Sequence, residues 1–343
     1  MSPKPKIEFY KLSLREKDNN QRSSFRNLFR EKFNLHEMRL NLNGFFNHYS
    51  QNLVKEFDTE GYYLNNKKKK GYTLLTEEVE GEKRSKIKLY KDNWVITGVL
   101  DGGKHGNKRT LGVINNKQDK TPIEEDNIVC DKFYFLLSTP IDNSEGILMV
   151  QGYTDRKISD VFREHMRDFF SLSRKIQCSI EMYVPETLAK KHLENATFKS
   201  ATFSTGWVVT PDFEHPQSKR YDLEVKVQIV DKSDDKMGFN LTESIVDLFG
   251  LSKLVMGKSK SKEKELKSFN SKTARIKNDN GKELPIKFDK DNSIKPVIYL
   301  EDEGIFMDTE TGELNYDELD EYCLELLNRI EKEYLPENAI KDI

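Results

Sequence analysis

The chain has 343 residues, room for two domains or one elaborated one at roughly 100–200 residues per domain. Charged residues reach 33%, but 20 Phe and 14 Tyr spread along the length exclude a disordered chain with no core to fill. A formal net charge of −2 excludes a global basic field, and three scattered cysteines without CxxC spacing exclude a zinc ribbon or disulfide framework. Cys130, Cys178 and Cys323 are expected as small core residues. No apolar stretch is long enough for a signal peptide or a membrane helix, so the expectation is a soluble, cytoplasmic protein without membrane insertion.

Residues 7–14 alternate as a first strand. Ser23 and Ser24 offer an N-cap to a helix whose face is Phe25, Leu28, Phe29 and Phe33, and residues 40–57 form a second helical stretch. From 62 to 116, short β-prone runs alternate with turn formers, predicting an antiparallel meander with Lys67, Lys68, Lys69 and Lys70 in one of its loops. Gly102 and Gly103 lack P-loop spacing and read as a hairpin turn. Residues 132–150 form the clearest hairpin. A helix opens at Ser159 and Asp160 with the stripe Val161, Phe162, Met166, Phe169 and Phe170. A strand at 176–184, a helix at 185–195 and a strand at 201–209 follow.

Residues 221–230 alternate cleanly, with Leu223, Val225, Val227 and Ile229 on one side and Asp222, Glu224, Lys226 and Gln228 on the other. A helix is predicted within 240–250, then a Lys/Ser-rich mobile loop at 253–272. Strands follow at 274–286 and 295–306, interrupted by turns at 278–281 and 289–293. The closing helix, 316–334, is capped by Asn315 and buries Leu319, Tyr322, Cys323, Leu326, Leu327 and Ile330. The order predicts an α+β fold of mixed and antiparallel sheets with ferredoxin-like, split βαβ character and flanking helices. Residues 1–125 are read as N-terminal helices plus meander. Residues 126–343 are read as an α+β domain carrying the mobile loop and closing helix.

One spacing suits metal chemistry. Pro211-Asp212, eleven residues, then Glu224-Val225-Lys226 matches PD-(D/E)xK of Mg²⁺-dependent nucleases. Asp212 and Glu224 would be the metal ligands and Lys226 the catalytic lysine that activates water. An amphipathic strand exposing alternate charges to water reads the same way. Arg30 and His36 have the Rx₅H spacing of HEPN ribonucleases, but that fold is all-helical and this chain is strand-rich. Asp308 fails as the start of an EF-hand, because Gly312 falls at position five and Leu319 stands where Glu is needed. That segment is expected as a turn.

Local charge points to partners. Residues 253–272 hold seven lysines, and Lys67 to Lys70 add four. Lys67, Lys68, Lys69, Lys70, Lys258, Lys260, Lys262 and Lys264 are the candidate phosphate contacts, since basic loops bind backbone without reading sequence. The acidic excess of 301–333 suits a basic partner protein or a solvated face. Residues 133–150 with their following helix, and residues 294–334 with Lys295-Pro296-Val297-Ile298-Tyr299-Leu300 leading through Gly304 and Gly312, resemble poorly characterised bacterial proteins of phage-defence islands. The resemblance covers the C-terminal two thirds. It implies a binding or sensing subunit of an antiviral system, contacting nucleic acid or a partner protein. A Mg²⁺-dependent nuclease and a non-enzymatic scaffold are the alternatives.

Overall fold

The computed structural model describes residues 3–35, 41–57, 61–79, 81–173, 175–185, 188, 197–209, 221–230, 271–277, 283–288 and 294–334. The chain forms two compact units, Met1–Tyr183 with Ile298–Ile343, and Val184–Val297. The first unit begins with β1 (Pro5–Glu16), α1 (Phe25–Lys32) and α2 (Leu42–Phe57). Its strands continue as β2 (Tyr63–Asn65), β3 (Lys70–Leu74), β4 (Thr76–Val79), β5 (Glu82–Ser85), β6 (Ile87–Tyr90), β7 (Val95–Lys104), β8 (Arg109–Val113), β9 (Asn116–Ile123), β10 (Val129–Ser138) and β11 (Glu145–Tyr153). Then come α3 (Ser159–Phe169) and β12 (Ile176–Tyr183). The second unit holds β13 (Thr197–Val209), β14 (Tyr221–Val230), β15 (Ser271–Lys277), β16 (Glu283–Phe288) and β17 (Ile294–Pro296). The first unit resumes with β18 (Ile298–Tyr299) and α4 (Tyr316–Tyr334).

A nine-stranded sheet of order β12-β1-β11-β10-β7-β3-β2, with β18 on β1 and β6 on β7, organises the first unit. Every pair in it is antiparallel. β11 and β12 flank β1 and are joined through α3. The expected boundary at 125/126 falls between β7 and β10, which pair along ten positions of this sheet. Ser24 caps α1 as expected, accepting from the Asn27 amide at 3.3 Å.

Both faces of the central strands are covered, which is why β10 and β11 carry near-continuous apolar runs. Tyr10, Leu12, Leu148, Val150, Phe133, Phe135 and Ile96 face one way, into a core with Phe25, Phe29, Tyr49, Phe57, Phe162 and Phe170 from α1, α2 and α3. The alternate residues face α4, whose Leu319, Cys323, Leu326, Leu327 and Ile330 are buried. Asn315 caps α4, accepting from the amides of Asp317 (3.1 Å) and Glu318 (3.3 Å). The turn expected at Asp308 is present: its Oδ1 accepts from the amides of Glu310 (2.8 Å) and Thr311 (2.7 Å).

Four expectations are corrected. Gly102 and Gly103 lie inside β7 and not in a turn, because β3 and β10 press on both edges there. The strand predicted to reach 306 ends at Tyr299, and Leu300–Glu303 coils into a 3-10 turn closed by left-handed Gly304. Cys130 is exposed at the start of β10, whereas Cys178 and Cys323 are buried. Residues 271 and 272 belong to β15, so the Lys/Ser tract gives way to strand there. The remainder of that tract, the predicted helix at 240–250 and nearly all of that at 185–195 lie outside the described residues, as does His36.

Asp320 fastens α4 to the sheet. It is 3% exposed and accepts from Tyr90 Oη (2.6 Å), Tyr134 Oη (2.8 Å) and Lys88 Nζ (3.0 Å). Burial pushes its carboxyl up, but hydrogen bonds from Tyr90, Thr97, Tyr134 and Lys88 outweigh that and hold it below the usual carboxylate range. A depressed carboxylate stabilises the fold at neutral pH, and that contribution is lost as pH falls below the ordinary value of 3.8. Asp320→Ala leaves the buried Tyr134 hydroxyl without its acceptor. It is expected to cost about 2–3 kcal/mol in urea unfolding followed by Trp94 fluorescence in a Trp207→Phe background. It should also flatten the acid limb of stability. A cost below about 0.5 kcal/mol, the size of an ordinary surface change, contradicts the assignment.

Candidate nucleic-acid interface

Between the last residue of β7 and the first of β10 the chain leaves the sheet. β8 and β9 pair with each other in a separate two-stranded ladder, with Arg109 opposite Ile123 and Gly112 opposite Lys120. The register then jumps so that Val113 faces Asn116, and Lys117, Gln118 and Asp119 bulge from the ladder. Ile114 and Asn115 form the tip. Every residue from Asn107 to Pro122 is exposed. At about 3.4 Å per residue, the ribbon projects roughly 15 Å.

The composition of this arm is unusual for a solvated hairpin. Lys108, Arg109, Lys117 and Lys120 stand against Asp119, a net charge of +3 over residues 108–123. Lys108 reaches Glu124 at 3.4 Å, but both side chains are more than half exposed, so the pair contributes little. At the tip, Leu111 is 61%, Val113 49% and Ile114 99% exposed. An isolated two-stranded hairpin is marginal in water, and this one buries nothing to support the core. The acidic residues Glu124, Glu125 and Asp126 lie where the arm returns to the sheet, beside Lys108 and Arg109 at its root, while Lys117 and Lys120 lie toward its far end.

The basic tract read from the sequence sits at the arm's root. The Lys69 carbonyl, on a residue with φ of 51°, accepts from the His105 amide at 3.1 Å. Its ammonium donates to the Gly106 carbonyl at 3.2 Å, and the Gly106 amide donates to Glu125 O at 2.9 Å. Lys70 is in register with Lys104. Lys68 and Lys70 are also engaged with α3. Lys68 Nζ lies 2.6 Å from Glu164 Oε1, and Lys70 Nζ lies 2.9 and 3.0 Å from the Asp160 carboxylate. The Lys68 hydrogen bond holds the Glu164 carboxyl below its usual range. Lys67 is exposed.

Glu224 and Lys226 lie two residues apart in β14, opposite Gly206 and Ser204 of β13. Asp212, Lys258, Lys260, Lys262 and Lys264 lie outside the described residues. Among the described residues no three His, Cys, Asp or Glu side chains form a metal-holding group.

Two further polar clusters lie elsewhere in the first unit. Tyr72 Oη lies 2.6 Å from His165 Nδ1, Tyr63 stacks on the imidazole at 4.0 Å, and Glu56 Oε2 lies 3.5 Å from Nε2. Burial pushes His165 down and Glu56 pulls it back up. Tyr72 and His165 are buried, so their hydrogen bond ties α3 to β3, while Glu56 lies half exposed at the edge of the cluster. A polar depression over β1 and β12 is lined by Lys11, Ser13, Arg15, Gln177, Ser179 and Glu181. Lys11 there is paired with Glu145 at 2.9 Å.

No family model matches the chain, and neither does any curated protein or solved structure. In the sequence, 110–114 is one more short β-prone run of the meander, and periodicity does not mark Lys104, Lys108, Arg109, Lys117, Lys120 and Ile114 as a group. The signal is compositional: 107–123 holds Lys108, Arg109, Lys117 and Lys120 together with Leu111, Val113 and Ile114, and no aromatic to bury. Replacing residues 110–122 by Asn-Gly, which closes Arg109 onto Ile123 as a two-residue hairpin, is expected to change stability by less than about 0.5 kcal/mol in chemical denaturation. A loss above about 2 kcal/mol would show that the arm packs on the core.

Proposed function

We propose that this protein is a nucleic-acid-binding subunit that contacts the phosphate backbone through the β8–β9 arm and the Lys67 and Lys69 surface at its root. The observation that carries this reading is the net +3, fully exposed arm on a chain whose overall charge is −2. Locally concentrated lysine and arginine attract phosphate and release counterions even when net charge is near zero. Among the described residues no helix is long and apolar enough to cross a membrane. The reading places the protein in the cytoplasm, as a component of a bacterial antiviral system. The resemblance of residues 133–150 and 294–334 supports that setting. The ferredoxin-like character expected of the fold belongs to the same reading, supported by the passage of β11, α3 and β12 around β1.

Binding of the full chain to labelled duplex DNA across a salt series tests this. Affinity is expected to fall linearly on a log–log plot. Replacing Lys117 and Lys120 together by Ala should reduce the slope by about two, since each phosphate contact contributes close to one. No binding at about 50 mM salt contradicts the proposal. So does a slope that the double variant leaves unchanged.

A further inference from the structure

The apolar tip of the arm is not explained by phosphate contact. Lysine and arginine suffice for backbone binding, and Ile114 at 99% exposure loses nothing by becoming polar. Leu111 and Val113 extend the same apolar character down the ribbon. We infer that the arm enters a groove of duplex DNA and that Ile114 acts as a wedge between base steps, so that binding bends the duplex. This deepens the reading under Proposed function and rests on it.

Three features select duplex DNA as the occupant. A two-stranded β-ribbon is an element that enters a groove of B-DNA, and apolar wedges between base steps are driven in from the minor groove. Arg109, Lys117 and Lys120 on the ribbon, with Lys108 at its root, are complementary to the phosphates that line such a groove. Single-strand binding relies on aromatic platforms for stacked bases, and residues 107–123 contain no Phe, Tyr, Trp or His. The A-form minor groove of duplex RNA is wide and shallow and is recognised by shape and by 2′-hydroxyl and phosphate contacts, for which an apolar tip offers no partner. Apolar side chains such as Ile and Leu are the ones that unstack a base step and kink DNA. The tip is therefore chemically suited to deform a helix after the basic residues have placed it there.

The test uses the full chain and a duplex of about 30 base pairs. The duplex carries a dye at each end for energy transfer and a central 2-aminopurine to report unstacking. The wild-type protein is expected to raise both signals. Ile114→Ser is expected to bind within about threefold of wild type at the same salt but to lose more than half of both signals. Because Ile114 touches nothing, its substitution should leave the melting temperature unchanged, which excludes misfolding as the cause. If Ile114→Ser retains both signals, the wedge is overturned while nucleic-acid binding stands. If neither protein binds the duplex, both readings fall. If light scattering shows a wild-type dimer that Ile114→Ser converts to monomer with DNA binding unchanged, a second copy covers the tip and the wedge is overturned.

Discussion

The first unit is organised by how closely β3 and β10 approach the end of β7. A Cβ on Gly103 would sit 1.9 Å from Val129 O, and one on Gly102 would sit 2.4 Å from Gly71 O. Neither position has room for a side chain, so the Gly-Gly pair lets three strands close into one ladder there. That closure fixes where β7 stops and β10 starts. Everything between those points has to leave the sheet, and it does so as the β8–β9 arm. The tight root and the free arm are two results of the same packing constraint.

The sheet behind that root is firmly held. One face is filled by the aromatic side chains of α1, α2 and α3, and the other is covered by α4. Ordered packing of this density transmits little slack. The buried Asp320 ties α4 to Tyr90, Tyr134 and Lys88, while the Tyr72–His165 hydrogen bond ties α3 to β3. β3 in turn carries Lys70 beside Lys104 at the arm's base. A ribbon rooted on a packed platform keeps the orientation of its base at small entropic cost, which suits the proposed contact.

Much of this was legible in the residues. The alternation of 7–14, the aromatic face of α1, the stripe of α3 and the cap at Asn315 each follow from local periodicity, and each is present at or near its expected position. An α+β chain dominated by antiparallel sheet was readable in the same way. What was not readable depended on partners distant in sequence. Gly102-Gly103 looks like a turn until β3 and β10 are placed beside it. Cys130 looks like a core residue until the start of β10 proves exposed. Lys68 and Lys70 read as free cations, yet α3, about 90 residues later, supplies Glu164 and Asp160. The arm itself has ordinary strand propensity. Its exposure among the described residues sets it apart, and periodicity carries no information about that.

The proposed contact with DNA rests on the arm. Hydrogen–deuterium exchange of the full chain, with and without saturating duplex DNA, tests this most directly. The predicted result is added protection concentrated in residues 104–123 and 67–70, with the β10 and β11 amides unchanged. Protection confined to the second unit, or none within 104–123 while DNA is bound, would contradict it.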